Sequence, residues 1–187
     1  MKEKFAPSLL SFFQKTVSNF LQIQNPRVLE LGSGAHSIFE DTNLNKKLVE
    51  ALDIRISMDG VNSSGIKYFK GDITETNLLN NNYYDLVFDS HCLHCLQSIK
   101  EQEIALQNIY NSLKTEGLFA AEIMVQPSGN KVHFPKRLVR ESIDIETLIL
   151  NSGFKIMYFV IVPQMSFYFE YSEGEIVCDM LRIVAKK

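Results

Sequence analysis

The stretch that decides the fold is Arg27-Val28-Leu29-Glu30-Leu31-Gly32-Ser33-Gly34. The breaker Asn25-Pro26 precedes it, and a short apolar strand then runs straight into a Gly-x-Gly turn. Glycine, lacking a Cβ, allows a tight turn and lets a ligand come close to the backbone. A lone Gly-x-Gly reads equally well as a plain turn, so the weight falls on what repeats the pattern downstream. Residues 48–52 read as a second strand ending at Asp53. Residues 66–70 read as a third, ending at Gly71-Asp72, and Tyr84-Asp85-Leu86-Val87-Phe88 as a fourth, ending at Asp89. Each is short, apolar and followed by a polar turn, as expected of strands covered on both faces.

Working outward, Ile99, Ile104, Leu106, Ile109 and Leu113 make the stripe of a helix, with Gly117 as its stop and residues 118–125 as a fifth strand. Upstream, Phe5, Leu9, Phe12, Phe13, Val17, Phe20 and Leu21 recur at steps of three and four. They predict an amphipathic helix over 5–21, with Pro7 tolerable in its first turn. It reads as a helix packed on the core or, more sharply, as one that also covers a ligand site. Residues 126–140 have no period. A helix over about 143–150 follows, then two long strands, 154–162 and 175–185, joined by an aromatic connection (Phe167, Tyr168, Phe169, Tyr171) with no room for a helix between them. Such a pair must run antiparallel. The prediction is an α/β, Rossmann-like, doubly wound and mostly parallel sheet with a C-terminal antiparallel hairpin. It forms a single domain over 1–187, with residues 1–24 as an N-terminal helix and candidate lid and 25–187 as the sheet core.

Right-handed crossovers bring the polar strand ends to one edge of such a sheet. Glu30, Gly32, Asp53, Asp72 and Asp89 therefore converge there. A carboxylate at Asp53 can accept both hydroxyls of a ribose, because a vicinal diol offers two donors to two oxygens. Asp72 can accept from an exocyclic amine such as that of adenine. Any one of these acids also reads as a turn residue or helix cap. Three at successive strand ends point jointly to a nucleoside-containing ligand.

These motifs, in order, resemble the class I S-adenosylmethionine-dependent methyltransferases over residues 25 to the C-terminus. The first-strand motif, acidic-x-Gly-x-Gly, is Glu30-Leu31-Gly32-Ser33-Gly34. The ribose acid matches Asp53, the adenine acid matches Gly71-Asp72-Ile73, and the fourth-strand motif matches Tyr84 to Ser90 with Asp89. The resemblance implies seven strands in the order 3-2-1-4-5-7-6. It also implies S-adenosyl-L-methionine as cofactor, held by Glu30, Gly32, Ser33, Gly34, Asp53, Asp72, Ile73 and Asp89. A nicotinamide-dependent oxidoreductase is the weaker alternative. Its fingerprint needs a third small residue, Gly or Ala, where this chain has Ser37.

Ser90-His91-Cys92-Leu93-His94-Cys95 places four soft ligands within five residues. Zinc sites commonly use two separated ligand pairs, and no second pair is evident, so no metal is expected. The cluster reads either as core-facing Cys92, Leu93 and Cys95 with a histidine that caps or lines the loop, or as one with a histidine facing the acceptor. In the family this segment lines the methyl-acceptor site, which implies His94, with His91 close behind, as a general base if the acceptor must lose a proton. The loop 126–140 carries Lys131, His133, Lys136, Arg137 and Arg140, which read either as a solvated surface or as contacts to an anionic acceptor group.

Composition narrows the partners. In 187 residues, 19 basic and 22 acidic side chains give a net charge of −3, with 45% hydrophobic residues and three cysteines. That is an ordinary globular balance. It argues against nucleic acid and against an anionic membrane, and no apolar run approaches a membrane span. The odd cysteine count is unlike a secreted disulfide scaffold. The expectation is a cytoplasmic methyltransferase acting on a small-molecule acceptor. The rival is a non-catalytic module that binds S-adenosylmethionine or S-adenosylhomocysteine with the same residues.

Overall fold

The computed structural model describes residues 7–56, 60–127, 129, 131–134, 137–168 and 175–187. The predicted parallel strands form where the apolar runs fall: β1 (Val28–Leu31), β2 (Val49–Asp53), β4 (Lys67–Lys70), β5 (Tyr84–Ser90) and β6 (Leu113–Val125). β7 (Lys155–Tyr168) and β8 (Glu175–Lys186) make the antiparallel C-terminal pair. The sheet order is β3-β4-β2-β1-β5-β6-β8-β7. Seven of these strands follow the predicted order. The eighth, β3 (Gly60–Val61), is an addition, pairing antiparallel with β4 at the outer edge. A turn builds it: Asn62 Oδ1 accepts from the Ser64 and Ile66 amides, and Gly65 takes a φ of +94°.

Alternate residues of β1 serve opposite faces. Leu29 and Leu31 join a core beneath α3 (Ile99–Ser112) and α4 (Ser142–Asn151). Val28 joins a second core with Phe12, Phe13, Phe39 and Phe88. The second face is covered by the N-terminal segment: α1 (Pro7–Phe12), a π-wound turn (Phe13–Val17) and α2 (Ser18–Phe20). Phe5, the first residue of the predicted stripe, lies outside the described residues. Between β1 and β2 stand only the 3-10 turns Ile38–Asp41 and Lys46–Leu48, and among the described residues no α-helix joins β2 to β4 or β4 to β5. The sheet is thus wrapped on this face by the chain's N-terminal segment rather than by crossover helices.

Two boundaries differ from expectation. α3 ends at Ser112, because Leu113 is already extended and begins β6. Gly117 serves another purpose than stopping the helix. A Cβ there would stand 2.8 Å from the Lys114 carbonyl oxygen, at the irregularity where β6 slips against β5. β7 also runs past its predicted end. Phe167 and Tyr168 pair with Ile176 and Glu175, whereas Phe169 and Tyr171 lie outside the described residues.

Register sets the ligand edge. Leu31 is level with Leu52 of β2 and with Asp89 of β5, so Gly32, Asp53 and the turn after Ser90 emerge together.

Candidate active site

A cavity of about 710 Å³ opens at this edge, within the range of small-molecule sites. Gly32, Asp53, Asp72 and Ile73 line it, and so do His91 and His94. Gly32 has a φ of +71°, and a Cβ on it would come within 3.0 Å of the Ser90 carbonyl oxygen, so the turn fits only glycine. Asp53 faces the cavity with structured oxygens: Oδ2 accepts from the Gly34 amide at 2.9 Å and Oδ1 from the Arg55 amide at 2.7 Å. Each oxygen keeps a second acceptor position, which is what a vicinal diol requires. Asp72 Oδ1 accepts from both the amide and the hydroxyl of Thr74.

The other predicted binders stand behind the wall. Gly34 serves Asp53, and Ser33 is buried beside it. Glu30 is fully buried. Its Oε1 accepts from Ser90 Oγ at 2.7 Å and the Ile38 amide at 3.3 Å, while Oε2 has no partner. Burial pushes its carboxyl up to about 7 against these hydrogen bonds. Asp89, also fully buried, accepts from the Cys92 and Leu93 amides and so caps the turn Leu93–Cys95; burial raises its carboxyl to about 6. Glu30 and Asp89 therefore shape the loops that line the cavity and do not themselves face it.

The two histidines have different surroundings. His94 is fully buried, and its Nδ1 accepts from the Met124 amide at 3.2 Å. A neutral ring with Nδ1 accepting carries its proton on Nε2, which has no protein partner. Burial, with His91 and Arg137 nearby, pushes the His94 ring well below its ordinary value, so it stays neutral. His94 is thus a hydrogen-bond donor, with no lone pair left for a proton. His91 differs. Its backbone takes a φ of +70°, and Nε2 lies 3.2 Å from Glu122 Oε1.

Behind His91 stands Glu122, which the sequence alone did not single out. It is buried on β6, and it also accepts from Ser8 Oγ at 3.0 Å and Arg182 Nε at 2.6 Å. Burial raises this carboxyl, but His91 and Arg182 outweigh it and the net is a lowering. A carboxylate can only accept, so the His91 nitrogen that faces it, Nε2, is the donor. Of the loop cations, Arg137 lines the cavity with Nη1 3.1 Å from Cys95 Sγ. Lys131 and His133 are exposed, Arg140 lies 3.9 Å from Asp144, and Lys136 is outside the described residues. Around them the loop is anchored by packing, with Phe134 and Val139 buried against Met124, Cys178 and Met180. Among the described residues, no three His, Cys, Asp or Glu side chains are arranged to hold a metal ion.

Residues 29–121, from the first strand through the fourth-strand motif into β6, match the family described as a methyltransferase domain. This stretch carries a methyltransferase domain, and the fold around it is that of the class I S-adenosylmethionine-dependent methyltransferases. No curated protein sequence matches it. Among solved structures, it is similar to a Burkholderia thailandensis 1,6-didemethyltoxoflavin-N1-methyltransferase holding its acceptor and S-adenosylhomocysteine. That match has a TM-score of 0.68 at 16% identity and covers 96% of this chain and 76% of the other. A Methanosarcina mazei S-adenosylmethionine-dependent methyltransferase also gives 0.68, at 13% identity, covering 91% and 96%. The [4+2]-cyclase SpnF gives 0.71 at 13% identity, covering 96% and 78%. At such identities the likeness is one of fold, and a fold can carry several chemistries.

The family's cofactor fits the residues present. The Gly32 turn brings backbone to the cavity, Asp53 offers acceptor positions for a diol, and Leu52 and Ile73 supply an apolar wall beside Asp72.

Proposed function

We propose that the chain transfers a methyl group from S-adenosylmethionine to a small-molecule acceptor. The observation that carries this reading is that one cavity is lined both by Gly32, Asp53 and Asp72 and by His91, whose ring is held by a buried carboxylate. Gly32, Asp53, Asp72 and Ile73 would hold the cofactor, with Ser33, Gly34, Glu30 and Asp89 fixing the loops that present them. When bound, the cofactor supplies an electrophilic methyl group on a sulfonium.

The chain's own residues then have three tasks: to orient the acceptor, to exclude water and to take a proton where the acceptor carries one. Positioning supplies most of the rate in an in-line displacement. His91 Nδ1 is the proton acceptor, because Nε2–H is committed to Glu122. His94 Nε2–H and the Arg137 guanidinium are donors for an anionic or carbonyl group of the acceptor. Cys92 stays a thiol, pushed well above its ordinary value by burial and Asp89, and does not compete for the methyl group. A cavity of this volume suits a small acceptor better than a macromolecule. The cysteines Cys92, Cys95 and Cys178 are all free, which suits a reducing cytoplasm. No helix among the described residues is long and apolar enough to cross a membrane.

The test is a panel of phenols, amines, thiols and heteroaromatic N–H compounds incubated with the full chain and S-adenosylmethionine, scored by S-adenosylhomocysteine release. Release that depends on one acceptor class supports the reading. Tight cofactor binding with no turnover on any class would favour the non-catalytic module, and binding of NADH in place of S-adenosylmethionine would refute the assignment.

A further inference from the structure

Glu122 faces three donors. Oε1 accepts from Ser8 Oγ and from His91, and Oε2 accepts from Arg182 Nε. Glu122 and Arg182 are direct cross-strand partners of β6 and β8, and the Arg182 guanidinium lies over the Phe12 ring, with Nη2 reaching the Ser8 carbonyl at 3.4 Å. The N-terminal segment, the two strands and the cavity histidine therefore meet at one buried carboxylate. Only an ionised carboxyl satisfies three donors with two oxygens. A neutral amide must turn its NH2 toward one of them.

We propose that Glu122 is a positioning residue, clamped by Ser8 and Arg182, that fixes His91 as the Nε2–H tautomer with its lone pair on Nδ1. The inference rests on the reading that His91 takes the acceptor's proton. It adds that the N-terminal segment is part of that apparatus, since it supplies the Ser8 donor and the Phe12 ring packed on Arg182.

The consequence is sharp for Glu122→Gln, which changes charge without changing size. Arg182 is always a donor, so the Gln oxygen must face it and the Gln NH2 must face His91. His91 Nε2 then becomes the acceptor and the proton moves to Nδ1. The logic is that of a serine-protease triad, where Asp→Asn keeps the geometry but imposes the wrong tautomer.

The test reads the tautomer directly, by ring 15N chemical shifts of the histidine-labelled full chain at mildly alkaline pH, with His91→Gln assigning the signal. Wild type should show protonated Nε2 and unprotonated Nδ1 at His91, and Glu122→Gln should invert the pair. A wild-type ring protonated on Nδ1 overturns the proposal, and so does an unchanged tautomer in a folded Glu122→Gln. The wild-type measurement decides even if the variant does not fold. A merely structural role for Glu122 would lower the melting temperature and leave the tautomer alone. Because this readout needs no acceptor, it is independent of whether methyl transfer is found. Where an acceptor turns over, Glu122→Gln should lower kcat by about 10²–10⁴-fold, with cofactor affinity retained.

Discussion

Replacing Glu30 with glutamine tests the electrostatics behind the glycine turn. Burial raises this carboxyl from 4.5 to about 7 against hydrogen bonds from Ser37, Ser90 and Ile38, so below that pH the folded state holds it protonated. A carboxyl raised on folding contributes stability that is fully present below the unfolded value of 4.5 and is lost as pH rises toward about 7. At about 1.36 kcal/mol per unit, the loss is about 3 kcal/mol by pH 8. Glu30→Gln imitates the protonated form, since its oxygen can still accept from Ser90 and Ile38. The variant should melt close to wild type near pH 5 and about 6–12 °C above it at pH 8, taking 2–4 °C per kcal/mol for a chain of this length. Two other buried groups act on the same titration. Asp89, raised to about 6, acts in the same direction as Glu30. His94, kept neutral, acts oppositely, its contribution being lost as pH falls below 6.5. Both cancel in the difference between variant and wild type, measured by thermal or urea unfolding across pH 5–8.5. A melting difference that is flat with pH, or a variant less stable than wild type at pH 8, would refute the claim that Glu30 folds protonated.

Asp53→Ala removes the acceptor for a diol and should weaken S-adenosylmethionine binding by about 2–3 kcal/mol, read by calorimetric titration; unchanged affinity would remove Asp53 from the cofactor site. His91→Gln should lower turnover by about 10²–10⁴-fold while leaving cofactor affinity nearly intact, as expected of a proton acceptor that works only in the chemical step. His94→Phe should instead strand the buried Met124 amide and cost about 1–3 kcal/mol of stability, seen as a lowered melting temperature; a variant as stable as wild type would argue against that hydrogen bond. Gly32→Ala forces an L side chain into a φ of +71° and against the Ser90 carbonyl, a backbone cost of about 1–2 kcal/mol before the clash, so both stability and cofactor binding should fall together.

The parallel core was legible because the strands are short, mostly apolar and closed by glycine or an acid, as in Leu31-Gly32 and Leu52-Asp53. β3 was not, since a two-residue strand has no period and exists only because Asn62 and Gly65 fold the turn beside it. The extended residues after α3 were hidden for a different reason: Leu113 fits the helical stripe, and Gly117 looked like a helix stop, although tertiary pairing with β5 claims both. Glu122 and Arg182 did leave a trace. Each is a lone charge inside an apolar strand, Phe119-Ala120-Ala121-Glu122-Ile123 and Met180-Leu181-Arg182-Ile183. Opposite charges in two buried strands are seldom tolerated unless paired, so the two together could have announced their register. Recognising the site from them would still have required knowing that His91 arrives beside the same pair.

The two histidines show where residue type stops informing. His91 and His94 are three positions apart on one turn, with ring centroids 5.5 Å apart, and both line the same cavity. What distinguishes them is the partner of a single nitrogen. A backbone amide is a fixed donor and takes the His94 lone pair, whereas a carboxylate is a fixed acceptor and takes the His91 proton. On the proposed reading the rings have opposite capacities toward an acceptor: Nδ1 of His91 takes a proton, and Nε2 of His94 carries one. An acceptor molecule that uses both needs a hydrogen-bond acceptor near its reacting N–H or O–H, as in an ortho-hydroxy carbonyl or a lactam-type ring. Such compounds should outperform isolated alcohols or amines in the acceptor panel, and the preference for the neighbouring carbonyl should disappear in His94→Phe. If simple amines without that second group are turned over equally well, His94 serves the fold alone.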